Sequence, residues 1–261
     1  MKKKRDYEAY AASEPERVLR RQTAGIMLQL LLPRRCPVCD TILTDPRKRI
    51  CPSCFDGLPW TADAAARCMR CSRPLTDERA EYCDRCAGAE HAFDRVCAVF
   101  LYEKGMRKSI LRMKFENRRE YLDFYARAMQ MESRDFIRIQ RPQAILPIPM
   151  YPKKVRRRGY DQCRILAEKY AALTGLPLIA DGVIRVRDTR PQKGLSPQER
   201  TRNLRGAFKV KEGTVLPPDV MILDDIFTTG STADEMGRIL KKNGVERISV
   251  LTLSITRQDR F

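Results

Sequence analysis

At 261 residues with 43% hydrophobic residues, the chain is long enough for one α/β domain plus a smaller unit, and it has the apolar material for a real core. The net charge of +18 is concentrated in residues 136–219, which hold 18 Lys and Arg against 7 Asp and Glu. This surplus indicates a polyanionic ligand, either pyrophosphate or nucleic acid. No secretory segment with a cleavage site is visible. Ala24–Leu32, the longest mainly apolar run near the start, is too short to span a bilayer, so the sequence predicts a cytoplasmic protein without a transmembrane segment.

Residues 1–35 are predicted to be a basic tail followed by an amphipathic helix. Val18–Leu32 has an apolar face, with arginines near both ends. We favour a helix that packs on its own domain, because amphipathic helices of globular proteins usually face the core. The alternative is a surface helix that makes peripheral contact with anionic lipid or with a partner.

Residues 36–92 are predicted to form a double zinc ribbon. Ten cysteines in a cytoplasmic chain indicate metal binding rather than disulfides. Eight of them form four Cys-x-x-Cys pairs, Cys36/Cys39, Cys51/Cys54, Cys68/Cys71 and Cys83/Cys86. The second two pairs repeat the spacing of the first two, which fits two structural zinc ions with four thiolates each. Sequential pairing is the simplest arrangement, interleaved pairing stays open, and iron–sulfur or redox roles are the rival interpretations.

Three further residues with reactive side chains stand apart from these pairs. Cys97 and Cys163 are predicted to be small buried apolar groups. The lone His91 has no carboxylate or nucleophile near it in the sequence, so no role is assigned to it.

Residues 93–261 are predicted to form a parallel sheet flanked by helices. The predicted strands are Arg95–Tyr102 and Ala144–Pro149, and the predicted helices are Gly105–Phe115, Tyr121–Met131 and Asp161–Leu173. Met150–Tyr160 is predicted to be a basic loop that carries Lys153, Lys154, Arg156, Arg157 and Arg158. Since ligands bind at the carboxyl ends of strands in open α/β sheets, these cations are candidates for binding pyrophosphate or another polyanion. The alternative is a solvated run of charge, because not all of them can point at one ligand.

Arg187–Phe208 is a polar, basic stretch rich in turn-forming residues, with a short helix predicted from Ser196. One interpretation is a flexible lid that closes over the reacting site and excludes water. An ordinary surface loop fits the composition equally well.

Val220–Thr232 carries the strongest chemical signal in the chain. The apolar run Val220–Leu223 predicts a buried strand, with Asp224 and Asp225 at its carboxyl end and a helix over Asp234–Lys242 that stops at Asn243-Gly244. Between them lie the candidate phosphate-binding residues Thr228, Thr229, Gly230, Ser231 and Thr232. Two carboxylates would repel a phosphate unless they bind another part of the same ligand, and the two hydroxyls of a ribose ring meet that requirement. The alternative is that the acids only cap the helix. Apart from such a cap, the sequence shows no structural partner for them.

The stretch resembles the phosphoribosyl pyrophosphate (PRPP) signature of the type I phosphoribosyltransferases. Neither the Walker-A motif nor the dinucleotide Gly-x-Gly-x-x-Gly motif occurs. Nearly the whole chain is similar to the ComF family, proteins with a double zinc ribbon and a type I phosphoribosyltransferase-like domain that are associated with competence and DNA uptake. The similarity is carried by the cysteine pairs and the acid-pair loop, and by Leu30–Cys39, Leu111–Phe115, Pro147–Pro149, Arg157–Gln162, Pro191-Gln192, Arg200–Asn203 and Gly206–Phe208.

The resemblance implies that Asp224 and Asp225 bind ribose as the catalytic acids and that Thr228–Thr232 hold the 5-phosphate. PRPP would bind with Mg²⁺, and pyrophosphate would leave C1 through an oxocarbenium-like transition state. The rival hypothesis is a non-catalytic protein of the DNA-uptake machinery that binds single-stranded DNA or assembles with DNA-uptake proteins. Single-strand binding commonly adds aromatic stacking platforms, and the stretch around the basic loop offers only Tyr151, Tyr160 and Tyr170.

Overall fold

The computed structural model describes residues 5–11, 33–45, 47–190 and 194–257, so the helix predicted over Val18–Leu32 lies outside the described residues. The described strands are β1 (Arg95–Leu101), β2 (Ala144–Pro147), β3 (Val183–Arg185), β4 (Phe208–Val210), β5 (Asp219–Phe227) and β6 (Arg247–Ile255). The parallel main sheet has the order β1-β6-β5-β2, and β3 and β4 form a separate antiparallel pair. The prediction of a parallel sheet with flanking helices is confirmed.

The described α-helices surround this sheet. They are α1 (Tyr7–Ala11), α2 (Pro52–Asp56), α3 (Lys104–Phe115), α4 (Tyr121–Glu132), α5 (Arg134–Gln140), α6 (Pro152–Arg158), α7 (Gln162–Thr174), α8 (Pro197–Leu204) and α9 (Ser231–Lys242). None of these helices in the described part of the chain is long and apolar enough to cross a membrane. The short helix expected from Ser196 is α8, where Ser196 and Glu199 form a capping box.

Two predictions about the elements were wrong. The strand expected over Val220–Leu223 continues through both acids to Phe227, because β5 pairs with β6 along its whole length and the backbone ladder does not depend on apolar side chains. The basic stretch expected to be a loop contains the helix α6. Its start and end follow ordinary rules, since Pro152 stands in the first turn and Gly159 adopts φ +83° just after the last turn.

The sheet is apolar on both faces because helices cover both. Met221 and Leu223 of β5 pack into one core with α4 and α7, whereas Val220 and Ile222 pack into the other core with α9. Helix α7, the second helix after β2, and helix α9, which follows β5, therefore lie on opposite faces of the sheet. Since β2 and β5 are neighbours, the carboxyl ends of these two strands form a topological switch point, where open α/β sheets bind their ligands.

The two cysteine-rich units pack into different cores. The first ribbon (residues 36–54) belongs to the core that contains Tyr10, Phe55 and Trp60, where α1 packs against α2 and the following turn. The second ribbon (residues 68–86) belongs to the core that contains Phe93 and Phe227. Each ribbon is therefore part of the hydrophobic core of the sheet and not an appendage.

Candidate functional site

The acid pair lies just past the end of a neighbouring strand. β2 ends at Pro147, which stands opposite Leu223 in the parallel ladder. β5 continues beyond that point, where among the described strands it pairs only with β6, and Asp224 lies opposite Thr252. The edge of β5 that faces β2 is thus open at Asp224 and Asp225, within the switch point.

Both carboxylates have partners that the sequence did not reveal. Asp225 accepts hydrogen bonds from Lys114 Nζ at 2.8 Å and from Gln162 Nε2 at 2.6 Å, and its relative exposure is 6%. Asp224 Oδ1 accepts the Asp225 backbone N–H at 2.8 Å and lies 3.8 Å from Cys163 Sγ. The expectation that the acids lack structural partners was wrong, because Lys114 and Gln162 come from α3 and α7, far away in the chain.

The two acids differ in their electrostatics. Burial and the neighbouring Asp225 carboxylate raise the pKa of Asp224 to about 7. Burial acts to raise the pKa of Asp225 too, but the Lys114 ammonium and the Gln162 amide outweigh it, so the pKa of Asp225 lies below its ordinary value. Near neutral pH, Asp225 is therefore ionised, whereas Asp224 is divided between its protonated and its ionised form.

The raised pKa predicts how stability depends on pH. Between about pH 4 and pH 7, Asp224 is protonated in the folded state and ionised in the unfolded state, so its contribution to stability falls as pH rises through this window. Asp224→Asn removes the titration. We expect its melting temperature to exceed that of the parent by an amount that grows from pH 4 to pH 7 and then levels off. In free energy of unfolding, the largest difference between the variant and the parent should be about 1–3 kcal/mol, from roughly 1.4 kcal/mol per pKa unit. It is reduced because Asp224 keeps some contact with solvent.

Melting curves from pH 4 to pH 8 test this expectation, with the exposed Asp56→Asn as the matched control. The control should follow the parent at every pH. A constant offset between Asp224→Asn and the parent would show that Asp224 does not titrate in this range.

The loop after the acid pair has the form of an anion site. Thr228–Gly230 connect β5 to the first turn of α9, so the positive end of the helix dipole points at the loop. Gly230 adopts φ +87°, and a Cβ there would lie 3.1 Å from the Phe227 ring. The hydroxyls of Thr229 and Ser231 are 2.8 Å apart, and Thr201 of α8 reaches the same Ser231 hydroxyl at 3.2 Å. Hydroxyls from the loop and from α8 thus converge at the helix N-terminus.

The five basic candidates on α6 do not point at one place. Lys154 donates to the Thr189 carbonyl at 2.8 Å, and with Lys153 and Arg157 it lines a cavity of about 320 Å³. Arg158 instead hydrogen-bonds Gln162, which holds Asp225, and Arg156 lines a separate cavity of about 370 Å³. The structure therefore groups Lys153, Lys154 and Arg157 as one set, and it places Arg158 beside the acid pair.

Arg185 of β3 is a further cation that sequence analysis missed. Burial lowers the pKa of its guanidinium, although the neighbouring carboxylates, Asp224 foremost, act in the opposite direction. Burial and Arg185 in turn lower the pKa of Lys154. Two partly desolvated cations that repel each other are stabilised by nearby negative charge, and Asp188, 3.4 Å from Lys154, supplies part of it. This residue could not be singled out from the sequence, because it lies on a three-residue strand next to the predicted lid.

The eight paired cysteines form two separate clusters. In each cluster the four sulfur atoms lie within 4.8 Å of one another, and the sets are Cys36, Cys39, Cys51, Cys54 and Cys68, Cys71, Cys83, Cys86. Neighbouring sulfurs are 3.5–3.8 Å apart in the first cluster and 3.6 Å in the second. A zinc ion at about 2.3 Å from four thiolates requires sulfur separations of about 3.8 Å, so both clusters fit tetrahedral zinc. The simplest pairing predicted from the sequence, the sequential one, is the one observed.

Cys163 and His91, which stand apart from the cysteine pairs in the sequence, have contacts in the structure that the sequence did not indicate. Cys163 is buried, as expected, and lies against the acid pair, whereas Cys97, also expected to be buried, is only partly buried. His91 has a partner 143 residues away, since its Nδ1 is 3.0 Å from Asp234 on α9, and this carboxylate raises the pKa of the imidazole. The lid function of Arg187–Phe208 stays a prediction.

Comparison with known proteins adds to this geometry. A family model described as "Double zinc ribbon domain" matches residues 27–87. Competence protein F of Haemophilus influenzae is 33% identical over 174 residues, which cover 65% of this chain and 76% of that protein. DNA utilization protein YhgH of Salmonella typhimurium is 30% identical over 224 residues, 85% of this chain and 90% of that protein. Among solved structures, adenine phosphoribosyltransferase of Saccharomyces cerevisiae matches with a TM-score of 0.34 and 12% identity, covering 53% of this chain and 69% of that one.

Proposed function

The chain belongs to the ComF family, and from this premise we propose that it binds PRPP at the carboxyl ends of β2 and β5 and transfers its phosphoribosyl group with release of pyrophosphate. The single observation that carries the proposal is the acid pair at the switch point, followed directly by a hydroxyl-rich loop at the N-terminus of a twelve-residue helix. One ligand with both a ribose diol and a phosphate satisfies both halves of this arrangement.

Each part of the site has a role in this proposal. Asp225, kept ionised by Lys114, accepts a hydrogen bond from one ribose hydroxyl, and Asp224 binds the other. The Thr228–Thr232 loop holds the 5-phosphate. The cations Lys153, Lys154, Arg157 and Arg185 stabilise the negative charge that grows on the leaving pyrophosphate.

The acceptor supplies the nucleophile, and no residue of this chain forms a covalent bond to the sugar in the proposal. The bond between C1 and the pyrophosphate oxygen breaks, and the carboxylates offset the positive charge that develops on the ribose ring. Mg²⁺ would enter with the pyrophosphate oxygens of PRPP and neutralise part of their charge. Asp224 and Asp225 could add a carboxylate oxygen to its coordination, which suits a hard cation.

Isothermal titration with PRPP in Mg²⁺ tests binding, with ribose 5-phosphate and pyrophosphate as separate ligands. We expect PRPP to bind more tightly than either part, because ribose 5-phosphate lacks the contacts to the cations and pyrophosphate lacks the contacts to the acid pair and the Thr228–Thr232 loop. A pyrophosphate-release assay across purine and pyrimidine bases and amines then tests transfer. Equal affinity for PRPP and pyrophosphate would show that the acid pair does not bind the sugar.

A second candidate function, binding of single-stranded DNA, is favoured by one observation. Phe115, at the end of α3, is 66% exposed, and the Arg158 guanidinium lies 5.1 Å from its ring centroid. An exposed ring flanked by arginine can stack a nucleobase while the cations contact phosphates. Tyr160 and Tyr170, which the sequence offered as platforms, are buried and cannot serve. The names of the relatives, which refer to competence and DNA utilization, agree with a DNA-uptake context.

This function predicts salt-sensitive, sequence-independent binding of single-stranded DNA. Reversing the charges of Arg156, Arg157 and Arg158 should weaken binding to all sequences alike and flatten the salt dependence.

Phe115→Ala should weaken binding of single-stranded DNA about five- to a hundredfold, from roughly 1–3 kcal/mol per stacked base. Ile139→Ala is the matched control, because Ile139 is also 66% exposed but lies on α5. Fluorescence anisotropy at several salt concentrations measures these affinities. Equal losses of affinity in Phe115→Ala and Ile139→Ala would show that Phe115 does not stack a nucleobase.

A further inference from the structure

Arg73, a residue of the second ribbon, lies buried beneath the candidate phosphate loop. Its relative exposure is 1%, which is unusual for an arginine. One terminal nitrogen, Nη2, donates to the carbonyl of Thr228, the first residue of the loop. The other, Nη1, donates to the carbonyls of Thr256 and Arg257, just past the end of β6. One guanidinium thus joins the carboxyl ends of two adjacent strands at the base of the site.

The position of Arg73 depends on the fold of its zinc knuckle, the turn over residues 68–73. Its own carbonyl accepts the N–H of Cys68 at 2.8 Å, and Cys68 is one of the four clustered thiols. The neighbouring Ser72 adopts φ +62° and donates through its hydroxyl to the Val96 carbonyl of β1. The knuckle turn that positions the cysteines therefore also aims the Arg73 side chain at the loop.

The segment that leaves the second ribbon supports the same loop from behind. The Phe93 ring packs edge-on against Phe227 at 5.7 Å, and a Cβ on Gly230 would lie 3.5 Å from it. Ala92 donates its N–H to the Asp234 carboxylate at 2.9 Å, in the first turn of α9. Both ends of the loop, where β5 ends and where α9 begins, thus contact residues of the second ribbon or its exit segment.

We propose that the second ribbon forms the floor of the phosphate site, with Arg73 as the positioning residue that holds the loop in its anion-binding shape. This inference rests on the proposed function for the identity of the anion, PRPP. The second zinc cluster then does more than stabilise its own small unit. Zinc stabilises the knuckle turn, the knuckle turn positions the Arg73 side chain, and Arg73 holds the loop by its hydrogen bonds. Loss of metal from this cluster would then weaken anion binding.

Hydrogen exchange of the full-length, zinc-loaded protein tests the inference without any ligand. Arg73→Lys keeps the positive charge, but an ammonium cannot span the carbonyls of Thr228 and Thr256 as a planar guanidinium does. We expect peptides covering 227–234 to exchange about tenfold faster or more, from the loss of charge-assisted hydrogen bonds, while peptides of the first ribbon stay unchanged. Arg70→Lys is the matched control, because Arg70 lies in the same knuckle and donates to Ala89 instead of the loop. Unchanged loop exchange in Arg73→Lys, or an equal change in Arg70→Lys, overturns the inference.

Titration of the same variants with PRPP and Mg²⁺ tests the consequence for binding. Arg73→Lys should bind at least about tenfold more weakly than the parent, with zinc content unchanged, and Arg70→Lys should bind as the parent does. Faster loop exchange with parental PRPP affinity would overturn the positioning role. A parent that does not bind PRPP refutes the proposed function, whereas the exchange data still decide whether Arg73 holds the loop. If Arg73→Lys loses zinc, Phe93→Leu serves in its place, and unchanged loop exchange there overturns the inference.

Discussion

Replacing Asp225 with asparagine should lower PRPP affinity by about ten- to a hundredfold and lower the melting temperature as well. The affinity falls because charge-assisted hydrogen bonds contribute roughly 1.5–3 kcal/mol each, and asparagine keeps the shape of the side chain without its charge. The stability falls because Lys114 loses its partner at 2.8 Å. Removing one member of a buried ion pair costs about 3–5 kcal/mol, and the 15% exposure of Lys114 places the cost near or below the lower end.

A double variant separates these two effects. Lys114→Met combined with Asp225→Asn removes the orphaned ammonium, so it should recover most of the melting temperature. It should not recover PRPP affinity, because the ribose hydroxyls still lack a charged acceptor. Thermal melts and calorimetric titrations of the parent, the single and the double variant measure both quantities. If affinity recovers together with stability, Asp225 acts only through the fold and not through the ligand.

Asp224→Asn should change stability in the opposite direction. Its carboxyl has a raised pKa, and the groups that donate to it, the Asp225 N–H and the Cys163 thiol, are not cationic, so asparagine removes a cost instead of an ion pair. PRPP affinity should fall in both variants. Opposite shifts in melting temperature with parallel losses of affinity would mark a site whose two acids differ in environment but share a ligand.

Substitution of a clustered cysteine should abolish the stable fold. Cys83→Ser leaves three thiolates for a tetrahedral ion, and structural zinc contributes roughly 10–16 kcal/mol of apparent folding free energy in zinc-finger peptides. That is as large as the whole stability of a typical domain, about 5–15 kcal/mol. We expect Cys36→Ser and Cys83→Ser to aggregate, because each cluster contributes to a hydrophobic core of the sheet.

Metal analysis of purified protein measures whether the two cysteine clusters hold zinc. The parent should contain two zinc ions per chain, and Cys97→Ser should contain two as well, since Cys97 lies on β1 outside both clusters. Iron in place of zinc, or a folded Cys83→Ser protein that keeps both ions, would contradict the assignment.

Much of the site could be predicted from the sequence because its signals are local. The acid pair and the candidate phosphate loop occupy one continuous stretch, in which an apolar run stops abruptly at charged residues. The cysteine spacing is also local, and the structure brings together the same sets that the repeat suggested. Short-range patterns of this kind reflect ligand geometry directly, so they survive without knowledge of the tertiary fold.

The partners of the acid pair could not be predicted, because they depend on long-range packing. Lys114 is 111 residues from Asp225 in the sequence, and Arg73 is 155 residues from Thr228. Nothing in the local sequence separates these cations from the many others in a strongly basic chain. The helical state of α6 is a different case, since its proline and glycine signals were present but the run of charge was taken to indicate a loop.

A crystal structure of the protein with PRPP and Mg²⁺ would show directly whether PRPP binds at the acid pair and the candidate phosphate loop. We expect the 5-phosphate to lie against the backbone of Thr229–Thr232 at the start of α9. We also expect both ribose hydroxyls within hydrogen-bond distance of Asp224 and Asp225, and the pyrophosphate toward Lys154 and Arg185. PRPP bound with its ribose away from the acid pair, or no PRPP at a saturating concentration, would show that the acid pair is not a ribose site.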